Sequence, residues 1–93
     1  MTFQESENIY SAAEIECDAA RDRFILAYEA LREAGLLDRD GHVYSPAEVE
    51  IGNIYRTARR EFAEAVEMLE KSEEQWVRCM QEEDGSGPRF QWN

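Results

Sequence analysis

The fold of this chain is decided at residues 34–48, which read AGLLDRDGHVYSPAE. Gly35 follows an apolar helical repeat, and Leu36 suits the hydrophobic contact of a Schellman helix end. Asp40-Gly41 is typical of a tight turn. Ser45-Pro46-Ala47-Glu48 then places serine at the N-cap, proline at N1 and glutamate at N3 of a new helix. The stretch therefore predicts a helix end, a turn and a second helix that runs back along the first.

Apolar residues on both sides of this stretch recur at alternating intervals of three and four, which is the spacing of a helix seam. The first seam predicts a helix at about residues 9–34, with either Ser11 and Glu14 as a capping box or Ser6 or Asn8 as the cap. The second predicts a helix over 46–83. The two seams are Tyr10, Ala13, Cys17, Ala20, Phe24, Ala27, Leu31 and Ala34, and Ile51, Tyr55, Ala58, Phe62, Ala65, Leu69, Ser72, Trp76 and Cys79.

These patterns predict an all-α protein, an antiparallel two-helix hairpin with a longer second helix. Residues 1–84 form the single helical hairpin domain, and residues 85–93 form a flexible C-terminal tail after the breaker sequence that starts at Asp84. A chain of 93 residues folded as two helices buries little core. We therefore expect oligomerisation or a partner to complete the fold.

The longer second helix leaves an overhang. Pairing the helices from the turn places Tyr10 near Leu69, with about three turns of the second helix beyond the first. The apolar residues of the overhang are Trp76, Val77 and Met80. Either the overhang is covered within the chain or by self-association, or it is a docking site for another protein. The aromatic residues available for cover within the chain are Phe3, Phe90 and Trp92.

Negative charge is concentrated at the two ends of the chain, whose net charge is −11. Residues 1–20 hold five acidic side chains and no Lys or Arg, residues 21–60 hold seven of each sign, and residues 61–93 hold nine acidic and three basic ones. A hairpin brings both acidic ends to one pole, which gives a directional handle for a protein partner with a basic surface. The predicted partner-binding residues are Glu14, Glu16, Asp18, Glu64, Glu67, Glu70, Glu74, Trp76, Val77 and Met80.

The same composition argues against several classes of function. Strong negative charge disfavours direct binding to nucleic acid and to anionic membrane surfaces. No apolar stretch reaches membrane-spanning length, and the N-terminal residues lack a secretory pattern, which predicts a cytoplasmic protein. Cys17 and Cys79 fall among apolar helical positions, so we expect reduced, half-buried thiols.

The chain shows no pattern typical of an enzyme, a metal site or a cofactor site. Asp38–Gly41 is similar to part of a calcium loop, but Leu36 and Ala47 stand where such a loop needs carboxylates. His42 is the only histidine, so no Glu-x-x-His pair exists for a di-metal bundle. No Gly-rich phosphate loop precedes a helix. We predict no catalytic residues, no metal and no cofactor.

The order of features across residues 20–70 resembles a known family. A helix ends in YEALREAGLL at 28–37, DGHVY follows at 40–44, SPA opens the next helix at 45–47, and a long amphipathic helix continues. This resembles the central hairpin of small phage terminase subunits. The resemblance implies a phage origin, ring assembly and a part in starting genome packaging. The N-terminal DNA-recognition region of that family is missing, and residues 70–73 continue the helix instead of closing it.

Three hypotheses for function stay open. The first is a small phage-type interaction protein in the cytoplasm of a bacterial host. It would be a stoichiometric inhibitor, similar to anti-CRISPR proteins or DNA mimics, that covers a basic nucleic-acid-binding surface. The second is an oligomeric assembly module like a terminase small subunit. The third is a structural dimer with no specialised partner, in which the overhangs join two hairpins into a four-helix arrangement. For the oligomeric state in general we expect a homo-oligomer, a dimer or higher.

Overall fold

The computed structural model describes residues 1–37, 41 and 43–83. Over these residues the protein consists of two helices, α1 (Phe3–Glu33) and α2 (Pro46–Glu83), and contains no strand. The prediction of an all-α hairpin with a longer second helix is confirmed, since α1 has 31 residues and α2 has 38. Residues 38–40 of the possible calcium loop, His42 and the predicted tail at 85–93 lie outside the described residues.

Helix α1 begins at Phe3, so the predicted start at about residue 9 is wrong. The helix is capped by a reciprocal capping box of Thr2 and Glu5, upstream of the predicted one. The Thr2 amide donates to Glu5 Oε1 at 2.8 Å, and the Glu5 amide donates to Thr2 Oγ1 at 3.1 Å. Ser6 is buried, and its hydroxyl donates to the Phe3 carbonyl at 2.8 Å. Ser11 and Glu14, the predicted capping box, therefore lie inside the helix.

The two helix ends that flank the turn follow the sequence pattern. The Leu36 amide donates to the Leu31 carbonyl at 3.1 Å and the Gly35 amide to the Arg32 carbonyl at 2.9 Å, which is the Schellman pair of bonds. Gly35 has a φ of 69°, a left-handed conformation that favours glycine at this position. At the start of α2, the Ser45 amide donates to Glu48 Oε1 at 2.9 Å and the Glu48 amide to Ser45 Oγ at 3.2 Å.

The helices pack in two compact units, each made from one segment of α1 and one of α2. Unit 1 comprises residues 1–17 with the chain from Ala65 onward, and unit 2 comprises residues 18–64. Nearly all buried side chains are small. In unit 1 they are Ser6, Ala13, Cys17, Ala65, Ser72 and Cys79, and in unit 2 they are Ala20, Ala27, Leu36 and Ala58.

Larger seam residues stay half-buried beside these small ones. In unit 2 the Phe24 ring lies against Tyr55 and Phe62, with ring centroids 5.6 and 5.7 Å apart, and Tyr28 lies 6.3 Å from Tyr55. Arg23 Nε reaches Glu61 Oε1 at 3.8 Å. These pairs join late positions of α1 to positions in the first half of α2, as the antiparallel hairpin predicts.

Replacing Thr2 with Ala should lower the free energy of unfolding by about 1 kcal/mol, because it removes a cap from the α1 backbone. The matched control is Ser11→Ala, which should leave stability within about 0.5 kcal/mol of wild type since Ser11 lies inside the helix. Urea unfolding followed by circular dichroism measures both. Equal losses in the two variants would contradict a cap at Thr2.

The capping box also predicts a pH dependence. Hydrogen bonds from the Thr2 amide and hydroxyl hold the pKa of Glu5 below its ordinary value. The stabilisation from a lowered carboxyl pKa is present above the ordinary pKa and is lost as pH falls through the folded-state value. The stability difference between wild type and Glu5→Gln should therefore shrink in acid. A difference that stays constant from neutral pH to below pH 4 would exclude this titration.

Candidate functional site

Unit 1 brings the two acidic ends of the chain together, as a hairpin requires. Residues 1–17 and 65–82 contain nine glutamates against only Lys71 and Arg78. Eight of these glutamates are exposed, and Glu7 is half-buried. Both helices carry the charge, so unit 1 presents fixed carboxylates from two rigid elements instead of from a loop.

The predicted partner-binding carboxylates divide between the units. Five of them are exposed in unit 1 and are called the acidic surface below: Glu14, Glu16, Glu67, Glu70 and Glu74. Asp18 and Glu64 belong to unit 2. Asp18 lies 3.6 Å from the Arg21 guanidinium on the same helix. On the acidic surface, Glu67 forms an exposed ion pair with Lys71 at 3.0 Å.

Trp76 does not lie on an uncovered overhang. Because α1 starts at Phe3, its first turns reach the end of α2, and the Trp76 ring lies between Phe3 and Tyr10 with centroid distances of 6.0 and 5.5 Å. The register therefore differs from the predicted pairing of Tyr10 with Leu69. Of the two interpretations left open for the overhang, the geometry favours cover within the chain. Val77 is half-buried, and Met80 keeps 40% of its surface exposed.

The indole nitrogen of Trp76 is buried without a hydrogen-bond acceptor among the described residues. Its neighbours in the ring cluster contribute hydrophobic contact instead. Trp76 therefore acts in unit 1 through the size and shape of its ring, since an unpaired buried donor adds no stability.

Tyr10 and Glu73 form a link between the helices that the sequence pattern does not reveal. The Tyr10 hydroxyl donates to Glu73 Oε2 at 3.0 Å. This bond, together with desolvation and the charges of Glu73 and Glu14, raises the pKa of Tyr10 above its ordinary value. A neighbouring carboxylate stabilises the protonated phenol, because ionising Tyr10 removes the donor and adds a like charge.

The two cysteines of unit 1 are buried and unpaired. Gln75 Nε2 donates to Cys79 Sγ at 3.3 Å, and the Cys79 thiol donates to the Met1 carbonyl at 3.7 Å. Both thiols are more deeply buried than the half-buried state that the sequence predicts. They occupy small seam positions between the helices and serve as core residues.

The part of the chain that the structure describes contains no group of three or more His, Cys, Asp or Glu side chains arranged to hold a metal ion. Within that same part, neither helix is long and apolar enough to cross a membrane. The three arginines that α2 contributes to unit 2, Arg56, Arg59 and Arg60, are exposed, and Arg56 Nη1 donates to Asn53 Oδ1 at 3.2 Å.

No protein-family model matches this chain, and neither a curated protein nor a solved structure matches it. The resemblance to small phage terminase subunits stays a prediction from the residues quoted above.

Trp76→Ala should lower the free energy of unfolding by about 2 kcal/mol, since it removes the ring that Phe3 and Tyr10 contact. Trp76→Phe keeps an aromatic ring and loses no hydrogen bond, so it should cost less than about 1 kcal/mol. Met68→Ala, at an exposed position of α2 in the same unit, is the surface control. Chemical unfolding measures all three. If Trp76→Ala proves as mild as Met68→Ala, the ring cluster does not stabilise unit 1.

Glu73→Gln should lower the pKa of Tyr10, because it removes the neighbouring negative charge and weakens the bond to the phenol. Glu74→Gln makes the same change in net charge without touching this bond and should leave Tyr10 nearly unaffected. Since the folded-state pKa is raised, the linked stabilisation is full below the ordinary tyrosine pKa and is lost as pH rises through the folded value. Ultraviolet difference titration measures the shift. Identical titrations in both variants would rule out the assigned pair.

Proposed function

We propose that this protein binds a basic surface of another protein through the acidic surface of unit 1. The observation that carries the proposal is the concentration of nine glutamates with only two cations in residues 1–17 and 65–82. Opposite potentials on two partners speed encounter and fix their relative orientation. The carboxylates stand on helices that are already ordered, so binding orders little additional backbone.

Not every carboxylate of the acidic surface contributes equally. Glu67 already shares its charge with Lys71. Glu70 and Glu74 lie four residues apart on α2 and are both exposed, so they project from neighbouring positions about 6 Å apart along the helix axis. The proposal therefore depends most on Glu70 and Glu74, with Glu14 as the contribution from α1.

The basic surface that best suits this arrangement is one that binds nucleic acid. Such surfaces carry Lys and Arg spaced to contact a row of phosphates, and a row of fixed carboxylates competes for the same side chains. The protein would then act as a stoichiometric inhibitor by occlusion, in the manner of DNA mimics and anti-CRISPR proteins. Its place of action would be the cytoplasm of a bacterial host of a phage. This role requires no catalytic group and no cofactor.

A second candidate is an oligomeric assembly module like a terminase small subunit. It is favoured by one observation. Unit 2, at residues 18–64, covers most of the stretch that resembles that family and carries exposed apolar side chains, among them Leu26 and Ile54. This candidate predicts a closed ring of many copies in light scattering, whereas the inhibitor does not.

Binding through Glu70 and Glu74 is tested by immobilising the chain, passing a bacterial lysate over it and eluting with a salt gradient. Retained proteins are identified by mass spectrometry, and double-stranded DNA is then added as a competitor. We expect nucleic-acid-binding proteins that elute at moderate salt and that DNA displaces.

The deciding comparison uses two double variants of equal charge. Glu70→Gln with Glu74→Gln should elute these proteins at clearly lower salt. Glu29→Gln with Glu33→Gln removes two exposed carboxylates of unit 2 and should change little. Equal effects of the two variants would show that only net charge matters, and retention that neither salt nor DNA affects would refute the proposal.

A further inference from the structure

Unit 2 carries an open apolar groove between its two helix segments, with a volume of about 610 Å³. Ala27 and Ala58 form its floor, and each is only 6% exposed. Leu26 and Ile54 stand at its sides, with 67% and 53% of their surfaces exposed. Exposed aliphatic side chains beside an alanine floor leave apolar surface that a packed neighbour would remove from water.

The shape of the groove follows from the spacing of its lining residues along the two helices. The lining positions follow the i, i+3, i+4, i+7 pattern along each helix, so each set lies on one face. On α1 they are Arg23, Leu26, Ala27 and Ala30, and on α2 they are Glu50, Asn53, Ile54, Thr57, Ala58 and Glu61. Small residues between two rows of larger ones form the kind of groove into which the side-chain ridge of another helix packs.

The charged residues lie at opposite ends of the groove. Arg23 and Glu61 form an ion pair of 3.8 Å at one end, and the Arg23 side chain remains half-exposed. Glu50 lies at the other end, because α2 runs antiparallel to α1 in this unit. A two-fold axis through the middle of the groove exchanges these ends. It brings Arg23 of each copy to the end of the interface where Glu50 of the other lies, so the charged ends of the two grooves are complementary.

Charge also decides which part of a second copy can approach. Unit 2 is nearly balanced, with eight acidic and six basic residues in 18–37 and 43–64. Residues 1–17 and 65–82 of unit 1 hold nine acidic residues against two basic ones, so this unit repels its own kind. Self-association is therefore favoured only between two copies of unit 2.

We propose that a second copy of this chain packs on this groove through the same residues, in a two-fold symmetric dimer. Leu26 and Ile54 of each copy pack over Ala27 and Ala58 of the other, and Arg23 pairs with Glu50 at both ends. The proposal goes beyond the proposed function and does not rest on it, because the acidic surface belongs to unit 1.

The test is the mass of the full chain in solution, measured by sedimentation equilibrium over a range of concentrations. Wild type should shift from monomer to dimer as concentration rises. Leu26→Asp should weaken the dimer at least tenfold, since it places a charge in the apolar interface. The matched control is Ile15→Asp. It makes the same kind of change at a position of α1 that is 71% exposed in unit 1, and it should leave the dissociation constant within about twofold.

A charge exchange tests the orientation. Glu50→Arg and Arg23→Glu should each weaken the dimer about fivefold, and the double variant should recover most of the loss because the pair is restored in reverse. Circular dichroism of every variant confirms that the helices persist. Leu26 and Ile54 are exposed in one chain, so Ile54→Asp serves as a second disruptive variant if Leu26→Asp proves poorly folded.

Three outcomes would overturn the dimer. The first is a wild-type monomer at every concentration, which would leave the groove to a segment of the same chain or to a different protein. The second is a ring of many copies, as the assembly-module candidate predicts. The third is equal weakening by Ile15→Asp and Leu26→Asp, which would attribute association to general charge. Loss of binding in the lysate experiment with an intact dimer would refute the proposed function alone.

Discussion

The structure depends on the close approach of two helices across small side chains. Alanine, cysteine and serine account for nearly all of the buried side chains, and Leu36, just after the end of α1, is the only large one among the described residues. Small seam residues let two helix backbones come near each other, but they bury little apolar surface. Among the residues that the structure describes, no third element covers the flanks of the two helices. The larger side chains therefore pack beside these small buried residues, where they remain half-exposed.

The two units differ in how far their large flanking side chains are covered. In unit 1 the chain covers its own large side chain, because α1 extends to Phe3 and places two rings against Trp76. The hydrogen bond from Tyr10 to Glu73 adds a polar tie at the same place. In unit 2 the rings of Phe24, Tyr55 and Phe62 fill one part of the helix pair, whereas Leu26 and Ile54 stand uncovered along the groove. Unit 1 is thus closed by its own chain, and unit 2 presents the apolar surface that a further element would complete.

Local sequence patterns predict a helix end of this hairpin correctly where the sequence offers only one candidate cap. The end of α1 at Gly35 and the start of α2 at Ser45 each have a single candidate, and both appear as expected. The start of α1 has two competing capping boxes, Thr2 with Glu5 and Ser11 with Glu14. Local propensity does not choose between them. The choice is made by packing, since only the longer helix brings Phe3 to Trp76, and the register of Tyr10 follows from that choice. The gathering of both acidic ends in unit 1 was predictable because it needs only the chain reversal and not the register.

The two interactions proposed for this chain respond oppositely to salt, because they use different surfaces. The acidic surface attracts a basic partner, and screening weakens an attraction between exposed opposite charges. Dimerisation through unit 2 brings together two chains that each carry a net charge of −11, and screening reduces that repulsion while the apolar contact of Leu26 and Ile54 persists. Low salt therefore favours a monomer bound to its partner, and higher salt favours the dimer. In these two proposals the negative charge of unit 1 has a part in both interactions: it would recruit a basic surface, and it would confine self-association to the nearly neutral groove.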